Sequence, residues 1–291
     1  MSTTLQAAFE LFQLENKARR FTKNTIRAYE TKLSAFFIFC ETENVTTIEA
    51  VTPTLIKSYL VGLQERGLKD LSISSYYKAV QTFFNFCVKD GLLTVSPMNK
   101  VSKVKLDKKI IPALTQDEIK KLLKNAQFER DSVLILFLLD TLMRASEALA
   151  LNIEDVDLKK GTVTIHLGKG GKSRVTYIGS TVQKKLIKFI GKRGVSGKTP
   201  LFVSERTGKR LTLTGIDQMF RRMQKRTGIA ATPHALRRTG CLFLLRQGMS
   251  VYHLQKMMGH TDIQTLRHYL ALVDDDIKSA HDQFGVVDNL L

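Results

Sequence analysis

The stretch SPMNKVSKVKLDKKIIP at 96–112 carries Pro97 and Pro112 near its ends and five lysines between them. It has neither the period of an amphipathic helix nor the alternation of a strand. No single core runs continuously through such a segment. The chain is therefore expected to fold as two domains, 1–95 and 113–291, joined by an extended basic linker over 96–112. With 291 residues and 43% hydrophobic content, each half can bury a core of its own.

Ahead of the linker the apolar period is helical. It predicts four amphipathic helices near 3–19, 23–43, 53–66 and 71–89, with breaks at Asn44, Pro53 and Gly67. Leu33, Phe36, Phe37 and Cys40 on the second, and Ile73, Tyr77, Val80 and Phe84 on the fourth, form stripes that pack together. Beyond the linker, Thr115 and Glu118 have the spacing of a capping box. Helices are predicted at 129–142, 145–150, 181–192, 214–227, 233–247, 250–258, 262–270 and 274–284, with a short strand near 201–203. TVTIH at 162–166 and RVTYI at 174–178 are β-branched and alternate, which predicts a hairpin. The fold class is mainly α with a small β-hairpin or sheet: a helical first domain and a mixed α/β second one.

The tip of that hairpin, HLGKGGKSR at 166–174, resembles a nucleotide-binding loop only superficially. A P-loop needs glycine five positions before the Gly-Lys-Ser, and here that position is His166, with a strand following in place of a helix. The loop can present Lys169 or Lys172 to a phosphate but cannot wrap a triphosphate.

Charge indicates what kind of phosphate. Forty-five Lys and Arg against 27 Asp and Glu give a net charge of +18, the footprint of a nucleic-acid binder. No apolar run approaches the ~20 residues that span a bilayer; the run SVLILFLLD at 132–140 reads as a buried helix. MSTTLQAAFELFQ has no signal-peptide pattern, so a cytoplasmic location is expected, with the bacterial nucleoid. Cys40, Cys87 and Cys241 are far apart in apolar context and read as buried thiols, and no Cys/His cluster has zinc spacing. Neither a metal nor a cofactor is expected.

Three further segments can carry chemistry. In TPHALRRTG at 232–240, Thr232 can cap a helix that starts at Pro233, which places His234 in its first turn and Arg237 on the same face. That is a phosphate site, although an H-x-x-R pair by itself also occurs on solvated helices. In MMGHTDIQTLRHYL at 257–270, His260 follows a helix-ending glycine and Tyr269 comes nine residues later; each alone reads equally as a turn or core residue. In TLMRASEALAL at 141–151, Arg144 starts a short helix, with Glu147 one turn on to orient it.

In this order the segments resemble the tyrosine recombinase (phage integrase) family. The matching elements are R-x-S-E (RASE at 144–147), a G-K-G-x-K turn (GKGGK at 168–172), H-x-x-R (234–237), G-H (259–260) and a tyrosine nine residues on (269). The chain departs from the family at 141–143, Thr-Leu-Met in place of the usual glycine before the first arginine. It departs again at 238–240, Arg-Thr-Gly where Xer-type members more often carry His and then a Phe-Ala-Thr run. YLALVDDD after the tyrosine looks more like mobile-element members.

The resemblance implies a site-specific DNA recombinase working without ATP or metal. Tyr269 would be the nucleophile, Arg144 and Arg237 the clamp on the scissile phosphate, and Lys169 the general acid. His234 and His260 would complete the catalytic set, with Glu147 supporting Arg144. The first domain would be the core-binding, DNA-binding domain and the second the catalytic one. Expected DNA contacts are Lys23, Arg27, Lys103, Lys105, Lys172, Arg174, Arg221 and Arg238. The expected assembly is a homotetramer on two duplex sites, a dimer per site, with the last helix exchanged between protomers. Two other readings remain open: a type IB topoisomerase with the same cleavage chemistry, and a non-enzymatic regulator using 233–258 as a helix-turn-helix.

Overall fold

Threonine side chains open the first three helices. Thr4 Oγ1 accepts from Ala7 N at 3.1 Å before α1 (Leu5–Ala18), and Thr22 Oγ1 from Thr25 N at 3.2 Å before α2 (Lys23–Thr42). Thr52 Oγ1 accepts from Leu55 N at 3.1 Å before α3 (Pro53–Glu65), where Pro53 gives up only an N–H that has no helical partner. After Gly67, at φ +76°, the chain turns into α4 (Asp70–Lys89). The computed structural model describes residues 2–106, 113–166 and 173–259. It divides into two units, Met1–Ile110 and Ile111–Leu291.

The core of the first unit is aromatic. Phe12 meets Phe83 at 5.8 Å and Phe36 meets Tyr59 at 5.1 Å, both edge-on, and Phe9, Phe37 and Phe84 fill the remaining space. Each buried ring contributes roughly 1.5–3 kcal/mol of transfer free energy, and edge-on geometry adds to it. The basic stretch expected to be extended from residue 96 begins as folded structure. Pro97–Lys100 is a 3-10 turn, Met98 and Val101 are buried in this core, and Tyr77 Oη donates to Val101 O at 3.0 Å.

In the second unit the capping box forms: Thr115 Oγ1 accepts from Glu118 N at 3.2 Å, and Glu118 Oε2 from Thr115 N at 2.8 Å, at the start of α5 (Gln116–Lys124). α6 (Glu129–Thr141) buries Val133, Leu134, Ile135, Phe137 and Leu138. α7 (Ala145–Ala150) follows it. Three short strands, β1 (Val156–Asp157), β2 (Thr162–Ile165) and β3 (Arg174–Tyr177), pair antiparallel in the order β1-β2-β3. α8 (Ser180–Arg193), α9 (Leu213–Thr227), α10 (Pro233–Arg246) and α11 (Val251–Met258) complete the described elements, with α6 packed against α8 and α10.

The fold is mainly helical with one small antiparallel sheet, as the sequence pattern predicts. At 201–203 the expected strand is instead a core plug: Leu201 and Phe202 are fully buried, and Val203 makes only an isolated bridge to Arg210. The helices expected at 262–270 and 274–284 lie outside the described residues. No helix among the described residues is long and apolar enough to cross a membrane.

Candidate active site

Arg144 is delivered by a sharp exit from α6. Leu142 takes φ +52° and ψ 24°, a left-handed conformation that costs an L-residue about 1–2 kcal/mol. This is the stretch where the family pattern has glycine. Here the leucine is fully buried against Cys241, Leu254 and Met258, and that packing offsets the strain. The chain then extends to Arg144, at the N-cap of α7. Glu147 grips it twice: Oε2 accepts from the Arg144 backbone N–H at 2.8 Å, and Oε1 from Nη1 at 3.0 Å. The Arg144 side chain remains 42% exposed, so it is held without being buried.

Glu147 is also bound from behind. Arg174, the first residue of β3, donates Nη1 to Glu147 Oε1 at 3.0 Å and Nη2 to Oε2 at 2.7 Å. Burial alone would raise the Glu147 carboxyl; hydrogen bonds from Arg174 and from the Arg144 N–H, with the two guanidinium charges, overcome it and hold the carboxyl below its ordinary range. Arg174, one of the expected DNA contacts, also donates Nε to Met257 O at 3.3 Å, so its guanidinium makes these three hydrogen bonds within the protein.

This placement follows from the register. Arg174 lies opposite Ile165 and Thr176 opposite Val163, and those β2 residues face the core. β3 is thus inverted relative to its hydrophobicity, with Val175 and Tyr177 exposed and Thr176 buried. Thr176 Oγ1 donates to Thr141 O at 3.1 Å, a carbonyl at the end of α6.

α10 brings the second pair of site residues. Thr232 Oγ1 accepts from Ala235 N at 3.1 Å and Pro233 is the first helical residue, so His234 stands exposed in the first turn. Arg237, one turn on, is 4% exposed and donates Nη2 to Met258 O at 2.9 Å. Two consecutive carbonyls at the C-terminus of α11 therefore receive two arginines, Met257 from Arg174 and Met258 from Arg237. Carbonyls at a helix C-terminus lack helical partners, and the helix dipole favours cations there. Gly259 ends α11 at φ +63°, and a Cβ on it would lie 2.7 Å from the Arg174 guanidinium.

Hydrogen bonds thus tie Arg144, Glu147, Arg174, the end of α11 and Arg237 into one framework, and His234 lies one turn before Arg237 on α10. Lys169, Lys172, His260 and Tyr269 lie outside the described residues, as does the tail. Of the other expected DNA contacts, Lys23, Arg27, Lys103, Lys105 and Arg221 are exposed and Arg238 is half-buried. Among the described residues no three or more of His, Cys, Asp and Glu are grouped so as to hold a metal ion.

Residues 112–275, more than half of the chain, match the phage integrase family, and residues 12–91 match the phage integrase N-terminal SAM-like domain. The chain belongs to the tyrosine recombinase, or phage integrase, family. Among relatives of this integrase-family chain, the tyrosine recombinase XerA of Pyrococcus horikoshii is 28% identical over 295 residues, covering 100% of this chain and 96% of that protein. The tyrosine recombinase XerD of Oceanobacillus iheyensis is 27% identical, over 94% of this chain and 96% of that protein. The crystal structure of XerA recombinase superposes with a TM-score of 0.54 at 26% identity, over 96% of this chain and 98% of that one. The Tn1549 transposon integrase, solved in complex with transposon right end DNA, shares the fold with a TM-score of 0.76 at 21% identity, over 98% of this chain and 100% of that one. So does a lambda integrase tetramer bound to a Holliday junction, with a TM-score of 0.74 at 19% identity, over 90% of this chain and 78% of that one.

Proposed function

We propose that the chain is a site-specific DNA recombinase that breaks and rejoins duplex DNA through Tyr269. The observation that carries the reading is the anchoring of Arg144 and Arg237 around one small framework: Glu147 holds the first, and the α11 carbonyl just before Gly259-His260 holds the second. Two guanidinium groups so fixed can clamp the non-bridging oxygens of a phosphodiester as charge builds on them in the pentavalent transition state. Preorganised donors of this kind are worth about 2.7–4 kcal/mol each when removed singly.

The remaining roles follow from the motif positions. Tyr269 Oη attacks phosphorus, and His234 takes up or stabilises its proton. Lys169 protonates the departing 5′-oxygen, and His260 hydrogen-bonds the scissile phosphate. The products are a 3′-phosphotyrosyl ester and a free 5′-hydroxyl. Attack by a 5′-hydroxyl from a second duplex reverses the step with exchanged strands, so one ester replaces another and no ATP is needed. Two rounds pass through a Holliday junction, with four protomers on two sites and the last helix docked on a neighbour. The net charge of +18 supports duplex DNA as the substrate.

The test uses nicked duplexes tiled across the DNA flanking the protein's own gene, incubated with wild type and Tyr269→Phe and run on a denaturing gel. A protein–DNA band present for wild type and absent for Tyr269→Phe is expected. Relaxation of supercoils by an isolated monomer, with no joining of sites, would replace recombination by topoisomerase action. Native shifts from both proteins with no covalent band on any duplex would leave a DNA-binding regulator.

A further inference from the structure

We infer that Arg174 is a positioning residue of the cleavage reaction, one that fixes Arg144 through Glu147 and ties it to the end of α11, and that it is not a contact to DNA. The inference rests on the reading of Arg144 and Arg237 as the phosphate clamp. Three donors of the Arg174 guanidinium point inward, two to the Glu147 oxygens at 3.0 and 2.7 Å and one to Met257 O at 3.3 Å, and its side chain is 15% exposed.

The fork matters because of what it shares. Glu147 Oε1 receives both Arg174 Nη1 and Arg144 Nη1, each at 3.0 Å, so one carboxylate lies between two guanidinium groups. Arg144 itself engages both oxygens, one through its backbone N–H and one through its own flexible side chain. The planar fork of Arg174 sets the carboxylate plane independently of the Arg144 side chain, and with it the direction in which that side chain is held. The Nε contact adds a second link, because Met257 precedes the residue whose carbonyl takes Arg237. Arg174 is thus the side chain that joins the support of one clamp arginine to the support of the other.

Gly259 is fitted to this arrangement. Its φ of +63° suits glycine, and a Cβ there would come within 2.7 Å of Arg174 Cζ and Nε. The turn leading to His260 is shaped around the same guanidinium.

The experiment uses the full chain and a nicked duplex on which wild type forms the covalent adduct. Adduct rate in single turnover, duplex affinity across a salt series, and thermal midpoint are measured for Arg174→Met, Arg174→Lys, Glu147→Gln and the Arg174→Met/Glu147→Gln pair. Arg174→Met is expected to slow adduct formation about 10²-fold, the scale of a misplacement near 1 Å, with duplex affinity and its salt slope unchanged. Arg174→Lys recovers part of the rate, because an ammonium can hold one oxygen but not the fork. The pair is no slower than the slower single variant, because both act through one carboxylate.

A salt slope smaller by about 0.9, with the adduct rate falling only as binding falls, would make Arg174 a phosphate contact and overturn the inference. So would a lowered thermal midpoint with the wild-type adduct rate retained below it, since that is a merely structural pair. Rate losses that multiply in the paired variant would refute the route through Glu147. If Arg174→Met does not fold, Arg174→Lys and Glu147→Gln carry the same comparisons. A wild type that forms no adduct on any duplex overturns the recombinase reading and the role drawn from it. Wild-type cleavage matched by Arg174→Met overturns this inference alone.

Discussion

Gly240→Ala adds one methyl group where α10 crosses α6, and the result should be a less stable and much slower protein. A Cβ at Gly240 would lie 2.4 Å from the Leu139 carbonyl oxygen and 2.6 Å from Leu142 Cδ2. Leu142 Cδ2 can rotate aside, but the carbonyl belongs to the α6 backbone and cannot. The helices must separate by about 1 Å to restore ordinary contact. Such overpacking costs about 1–3 kcal/mol, while alanine in place of a mid-helix glycine returns about 0.8–1 kcal/mol. The backbone obstacle puts the penalty in the upper part of its range, for a net loss of about 1–2 kcal/mol. At about 2–4 °C per kcal/mol for a domain of this size, the thermal midpoint of the second unit should fall by roughly 2–8 °C in calorimetry. The displacement also moves His234 and Arg237, on α10, relative to Arg144, which follows α6. A shift near 1 Å in a clamp of this kind costs about 10²-fold in adduct rate, measured with duplex saturating. A midpoint that rises by the helix-propensity gain, with the adduct rate unchanged, would refute the close approach.

Other expectations follow from single contacts. Lys169→Ala should slow cleavage far more than Lys172→Ala, and a duplex with sulfur as the bridging 5′ atom should restore the first variant, because a thiolate leaves without a proton; equal defects would mean the general acid is misassigned. Arg130→Met strands Asp131, 2% exposed and hydrogen-bonded to Arg130 Nε at 2.9 Å, and should cost about 3–5 kcal/mol in denaturant unfolding; replacing both residues with apolar ones should recover much of it. The Glu147 carboxyl is held low by Arg174 and Arg144 against its burial, so its stabilisation is present above the range where an unfolded glutamate titrates and is lost as pH falls through the lower folded value. Thermal midpoints across an acid series should therefore decline less steeply for Glu147→Gln than for wild type.

Where local chemistry decides structure, the sequence was a good guide. The Thr115 and Glu118 pair marks a helix start because two side chains satisfy two backbone N–H groups within four residues, and Pro53 marks another because its ring fits the first helical position. Long stripes in α2 and α4 average over enough turns to give the period. Short pieces defeat the same reasoning. β1 is two residues long and cannot show alternation. Leu201, Phe202 and Val203 look like a strand because they are apolar and partly β-branched, yet the first two fill a core without a partner ladder and the third makes an isolated bridge. Met98 and Val101 are too sparse among lysines to announce a helical face, although both are buried.

The site divides along a similar line. The residues proposed to act on the substrate stand out in the sequence as a motif pattern, because reaction chemistry would fix their type and order whatever their surroundings. Residues that support them do not, because a strut is defined by what it touches. Arg174 illustrates the difference. Hydropathy assigns Val175 and Tyr177 of β3 to the core and Arg174 and Thr176 to solvent, which makes the arginine look like a DNA contact. In the structure Val175 is 47% and Tyr177 60% exposed, while Thr176 is fully buried and Arg174 is half-buried. The rule that apolar residues face inward presumes an apolar partner surface. Here the surface facing β3 carries the Thr141 carbonyl, the Glu147 carboxylate and the Met257 carbonyl, and buried acceptors require donors. The polar face of β3 has turned inward because the acceptors it meets, among them the carboxylate that also holds Arg144, must themselves be hydrogen-bonded.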